Sequence, residues 1–344
     1  MIAGRRRGLR SGLASRHTSP VIYGQPDAPV NPTRGLILST LRSLSSTLIL
    51  LPSLLGAQPV RTQIVMLGTG TPIPDPDRTG PGVAIVVDSV AYLFDAGAGV
   101  VRRAAAAGRN GVKAFAPRGA TTQPSPRFDR LFLTHLHSDH TLGLADVIFT
   151  PWIQGRIAPL DIYGPPGTSR LVNGILDGNA EDIAERVAAS AGPAANGWKA
   201  VVHEIAEGVV FQDSRITVRA FAVPHAGWKY SFGYRIQTPD RLIVISGDTR
   251  PNPDIAEQCR GCDVLIHEVY SDAGFATIPP ARQAYHAEAH TSATRLGEIA
   301  TQAKPALLIL YHQLFFGASD ETLLAEVRLR FAGRVESAHD LDVF

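Results

Sequence analysis

The chain has 344 residues, 44 % hydrophobic and 19 % charged. That balance excludes a disordered or low-complexity protein and suffices for one large domain or two small ones. Residues 1–34 carry six arginines against Asp27, a sum of +5, and Arg42 adds one more, so 58–344 is acidic at −4 within a total of +2; this argues against a general phosphate-backbone binder.

Residues 1–34 are rich in Arg, Ser, Pro and Gly and lack periodicity. An apolar stretch at 48–55 follows Arg42 and runs into Leu55-Gly56-Ala57, a site suited to cleavage. Residues 1–57 are therefore expected to be a disordered basic tail plus a secretory signal peptide, with a periplasmic or secreted mature protein. The basic lead is long if Met1 is the true start. The competing reading is an amphipathic helix on a cytoplasmic protein. No apolar run is long and clean enough to predict a membrane span.

From 58 to 344 the pattern predicts one domain. Strands are expected at 62–67, 82–88, 91–94, 130–134, 160–163, 208–211, 216–223, 230–237, 242–246, 264–267 and 307–311. Helices are expected at 98–107, 169–190, 253–259, 292–303 and 321–330, and 108–127 reads as a surface loop. Strands with interspersed helices and no repeat indicate an α/β sandwich. The run Cys259-Arg260-Gly261-Cys262 admits a redox pair. With no second such run, the preferred reading is two small residues ending a helix before a buried strand.

The densest chemical signal is His135-Leu136-His137-Ser138-Asp139-His140, at the end of an apolar strand. Imidazole nitrogens and carboxylate oxygens suit zinc and its divalent neighbours. Alternate residues at a strand end point the same way, so His135 and His137 can reach one ion. After the turn, Asp139 and His140 can face a second.

This run resembles the hallmark of the metallo-β-lactamase superfamily, and further motifs keep that family's order. Leu67-Gly68-Thr69-Gly70-Thr71-Pro72, Phe94-Asp95-Ala96-Gly97, Val223-Pro224-His225, Ser246-Gly247-Asp248-Thr249 and Leu310-Tyr311-His312 resemble the ribonuclease Z and arylsulfatase-like branch, as do His267-Glu268 and His290-Thr291-Ser292. The resemblance covers about 62–344. It implies an αββα sandwich and a hydrolase using two divalent metal ions, zinc by default. It implies that His135, His137 and His225 hold one ion, that Asp139, His140 and His312 hold the other, and that Asp248 bridges them.

On this reading Asp139 orients or deprotonates the attacking water. His290 donates a proton to the leaving oxygen, and Glu268 fixes the His290 tautomer. Asp95 supports the ligands rather than touching metal. His286 can join the site or serve packing, and His267 reads as a core residue. Trp152, Trp228, Lys229 and Tyr311 flank ligand motifs as candidate pocket walls. Ribonuclease Z enzymes carry a long basic arm for tRNA, whereas here only 237–241 follow Tyr234-Arg235-Ile236. The expected substrate is therefore a small phosphodiester or sulfate ester, with nucleic acid set aside as a partner and 168–200 as a helical lid. The rivals are tRNA 3′-processing, lactone or carboxyl-ester hydrolysis, and a non-catalytic metal-binding protein. Nothing in the sequence indicates the oligomeric state.

Overall fold

The protein is described by a computed structural model over residues 62–118, 122–189 and 196–344. The tail and signal peptide expected over 1–57 lie outside the described residues. Two sheets face each other. The first holds β1 (Thr62–Gly68), β2 (Gly82–Val87), β3 (Val90–Phe94), β4 (Arg130–Phe132), β5 (Leu160–Gly164) and β6 (Ala200–Glu204) in that order. The second comprises β7 (Gly208–Gln212), β8 (Thr217–Ala222), β9 (Phe232–Gln237), β10 (Leu242–Ile245), β11 (Val264–Tyr270), β12 (Leu307–Leu314) and β13 (Val335–Ser337), in the spatial order 13-12-11-10-9-8-7. Both sheets are antiparallel early in the chain and parallel later. β2 and β11 are buried at every residue, which is why they read as continuous apolar runs: a strand covered on both faces has no polar side to alternate with.

The helices are α1 (Val100–Arg109), α2 (Ser138–Thr141), α3 (Leu144–Ile153), α4 (Thr168–Gly178), α5 (Ala180–Ala188), α6 (Asp254–Cys259), α7 (Asp272–Phe275), α8 (Pro280–Ala289), α9 (Ala293–Ala303) and α10 (Asp320–Arg328). Three apolar clusters define the layers. Ile64, Phe94, Phe132, Tyr234, Ile266 and Ile309 belong to the core between the sheets. Leu93, Leu131, Val101, Ile148 and Trp152 pack α1 and α3 on the outside of the first sheet. Leu265, Leu308, Leu296, Ile299 and Val327 do the same for α9 and α10 on the second. This is the expected αββα sandwich. No helix among the described residues is long and apolar enough to cross a membrane.

Several local expectations change. The helix expected over 169–190 is two helices, divided at Asn179, whose side-chain amide donates to the Ile175 carbonyl. These helices do not close over the ligand cluster. Val172 and Ile183 bury into the outer core of the first sheet, with Leu171, Ile175 and Trp198 packed against it. Of the lid expected at 168–200, the described residues 168–189 and 196–200 thus form a buttress. Trp152 lies in the same outer core and Tyr311 in the core between the sheets, so neither walls a pocket. Cys259 does end α6, as expected; both cysteines are buried and are joined by a disulfide, the pairing that the less favoured redox reading admitted.

Candidate metal centre

The ligand-type side chains all leave the C-terminal ends of strands or the turns just beyond them. Past Phe132 the Leu133 amide still bonds Tyr163 of β5, and then the ladder ends because the Thr134 N–H donates to Asp95 Oδ1 at 2.8 Å. His135 and His137 follow in that opened segment, and Asp139 and His140 sit on α2. His225 comes after β8, and Asp248 comes after β10. His312 lies inside β12, where the pairing with β11 shifts register: Glu268 faces Tyr311 and Val269 faces Gln313. His312 is the extra residue of that bulge, with φ 45°. A bulge re-aims one side chain, and here the re-aimed side chain joins the cluster.

His135 Nε2 and His137 Nδ1 are 2.9 Å apart, and His225 Nε2 is 3.0 Å from the same His137 nitrogen. Asp139 Oδ2 is 3.2 Å from His312 Nε2 and 3.5 Å from His140 Nε2. Asp248 Oδ2 lies between the two groups, 3.4 Å from His140, 3.5 Å from His312, 3.9 Å from His135 and 4.0 Å from His225. Donors about 2.1 Å from a shared tetrahedral ion stand roughly 3.3 Å from one another. The separations fit two such ions with Asp248 between them. His140 Nε2 and Asp248 Oδ1 are buried without a hydrogen-bond partner, a costly state for polar atoms that have no other purpose.

Neighbouring groups fix which nitrogens remain free. His140 Nδ1 is 2.8 Å from Asp95 Oδ2, so Nε2 faces the cluster. His225 Nδ1–H donates to the Ala289 carbonyl at 2.7 Å. Asp95 also accepts from the Thr134 hydroxyl, and touches the ligands rather than the ion position, as the sequence indicated. Trp228 Nε1 lies 2.5 Å from His137 Nε2. Lys229 stands over the Tyr230 ring and lines a different cavity.

His290 and Glu268 join the same centre. His290 Nδ1 is 3.9 Å from Asp248 Oδ2 and 3.3 Å from Glu268 Oε2. Glu268 is fully buried, its Oε1 accepting from the Thr291 and Thr249 amides at 2.8 and 3.3 Å. Burial holds His290 down to about 4, so its imidazole is neutral at neutral pH. Burial also pushes the Glu268 carboxyl well above the usual range, and the Asp248 charge adds to this; bound dications would oppose that shift. His286 is half-buried and lines the cavity beside His290, its ring facing that of Phe316. His267 is a fully buried core residue, with Nδ1 at 2.6 Å from the Glu268 carbonyl.

The cavity over the cluster is about 300 Å³ and is walled by the 71–73 loop and by Arg282, Tyr285 and His286 of α8. Sequence reasoning missed α8 as a helix and Arg282 and Tyr285 as site residues. The signal was present: 282, 285, 286 and 290 fall on one helical face.

A fold with paired His/Asp donor sets at the ends of two facing sheets defines a class of metal-dependent hydrolases, and the comparisons agree. The model of the β-lactamase superfamily domain matches residues 91–313, and the chain belongs to that superfamily. It is 32 % identical over 284 residues to a ribonuclease Z of Mycobacterium bovis, covering 81 % of this chain and 96 % of the relative. The same fold is seen in the metallo-β-lactamase fold protein YhfI of Bacillus subtilis (TM-score 0.58, 18 % identity, 82 % of this chain and 98 % of that one). Human tRNase Z, short form, also shares it (0.57, 22 %, 82 % and 98 %). The family's fold implies divalent metal ions, and the clusters can hold them.

Proposed function

We propose that this metal-dependent hydrolase cleaves phosphodiester bonds, and that its substrate is RNA cut at a 3′ trailer, as in tRNA maturation. The observation that carries the reading is the 32 % identity to a ribonuclease Z across 96 % of that protein, with every residue of the two donor sets present. This reverses the sequence-based preference for small esters and makes the dismissal of nucleic acid doubtful. His135, His137 and His225 would hold one ion, Asp139, His140 and His312 the other, and Asp248 both, with zinc the first candidate. When bound, two such ions supply Lewis acidity to the substrate oxygens and bring water's pKa towards neutrality. Asp139 takes up the proton of the attacking water. His290, neutral in the resting site, would first take up a proton and then, as the imidazolium beside Glu268, pass it to the leaving oxygen.

A second reading, a small phosphodiester or sulfate ester, is favoured by one observation. β9 and β10 are joined only by the turn 238–241, pinned by the Thr238 amide and the Arg241 carbonyl at 2.9 Å, where a tRNA-binding arm would stand. Metal-analysed protein should be offered a precursor tRNA with a 3′ trailer, bis(p-nitrophenyl) phosphate, p-nitrophenyl sulfate and an aryl lactone. Endonucleolytic release of the trailer supports the RNA reading. Turnover of the small esters with the tRNA left intact replaces it with the second reading.

A further inference from the structure

We propose that Arg282 is a specificity residue that holds a second phosphate next to the scissile phosphodiester. The inference rests on the phosphodiester reading above and names the shape of the substrate. Among the described residues Arg282 is the only lysine or arginine lining the cavity over the donor cluster. Among the described residues no carboxylate comes within ion-pair distance of its guanidinium, although exposed arginines elsewhere, such as Arg250 and Arg186, do find one. A free guanidinium inside a catalytic cavity is matched to an oxyanion, which its planar fork grips through two parallel hydrogen bonds.

The helix sets the spacing. Arg282, His286 and His290 are at i, i+4 and i+8, one stripe that runs from the mouth of the cavity to the donor cluster. At 1.5 Å per residue, Arg282 and His290 are about 12 Å apart along the axis. Arg282 thus lies further out along the wall of the cavity that holds the donor cluster, where its guanidinium can meet an anionic group of a substrate that extends beyond the scissile bond. Tyr285, 48 % exposed, lines the same cavity and offers a ring face on which a base can stack. The charge of Arg282 already reaches down the stripe: burial, then the His290 and Arg282 charges, hold His286 down to about 4. His286 is therefore a neutral wall of the cavity. A second phosphate can come from a polynucleotide backbone or from the terminal phosphate of a small nucleotide, and the chemistry at Arg282 is the same.

The test compares three substrates with the metal-loaded enzyme: UpU, the same dinucleotide with a terminal phosphate, and UpUpU. The wild type is expected to show a kcat/KM ratio of about tenfold or more in favour of the forms with a second phosphate. That ratio should fall towards one in Arg282→Ala, be partly kept in Arg282→Lys and shrink with added salt. A gain with the terminal phosphate identifies a small nucleotide as a sufficient source; a gain only with UpUpU identifies the polynucleotide backbone. Lys229→Ala serves as a charge-matched control and is expected to keep the ratio. Circular dichroism and metal content verify that each variant is folded and loaded. Turnover of all three substrates with a ratio that Arg282→Ala does not change overturns this assignment alone. No turnover of any of the three by a wild type that does cleave precursor tRNA or bis(p-nitrophenyl) phosphate overturns this assignment alone; no turnover of any phosphodiester overturns the phosphodiester reading as well.

Discussion

On the proposed function three side chains take distinguishable tasks, and each can be removed separately. Asp139 Oδ2 touches His312 and His140 but makes no contact that the core depends on. Asp139→Ala should therefore stay soluble and folded while turnover falls by about 10²–10⁴-fold; a variant within twofold of wild type would remove Asp139 from the reaction. Asp95 is different because it holds a ligand. Its Oδ2 fixes His140 and its Oδ1 accepts the Thr134 amide. Asp95→Asn should weaken metal binding by roughly 10–100-fold, read by competition with a chelating dye. Unchanged affinity would show that His140 orients itself. Glu268→Gln keeps an oxygen for the two amides and puts an NH₂ group towards His290. It should melt close to wild type yet lose roughly 10²-fold or more in turnover. Glu268→Ala should in addition lose about 2 kcal/mol of stability, because the buried Thr291 and Thr249 amides go unpaired.

At the scale of elements, the two helices α4 and α5 are packed away from the chemistry. Ile183 is 8 % exposed and is the buried residue of α5. Ile183→Ala should lower stability by roughly 2–4 kcal/mol in denaturant unfolding and leave KM unaltered; a raised KM would restore the lid. The sequence showed this element as helical because Ile175, Ile183 and Val187 recur at helical spacing, but spacing says which face is apolar, not what covers it. The same limit hid α8. Its residues Pro280-Ala281-Arg282-Gln283-Ala284-Tyr285 have few apolar positions, since the helix walls a polar cavity and buries only Ala289. The ligand motifs were legible for the opposite reason. Four imidazoles and carboxylates within six residues have no role in packing, so their chemistry shows through without coordinates. The bulge at His312 needed the strand pairing and the backbone path, which no local pattern encodes, whereas the Cys259–Cys262 spacing admitted a pair without saying that it forms.

At the scale of the whole molecule, the candidate metal centre draws its side chains from both sheets. His135, His137, Asp139 and His140 follow a strand of the first sheet, and His225, Asp248 and His312 belong to the second. The metal-free fold must bury His135, His140, Asp248 and Glu268 side by side, all 2 % exposed or less, at the cost of unpartnered polar atoms. An ion that binds only the folded chain adds about 2.7 kcal/mol at a hundred times its Kd, or about 4–6 °C in Tm for a domain of this size. Chelation should therefore lower Tm by roughly that amount for each ion removed, in a thermal melt with metal content measured in parallel. Because Asp248 Oδ2 stands within 4.0 Å of nitrogens from both donor sets, Asp248→Ala should abolish the whole shift. His225→Ala, which touches one set, should keep the part that belongs to the other ion. Equal residual shifts in the two variants would mean that Asp248 does not join the sites, and that the two sheets are held by independent ions.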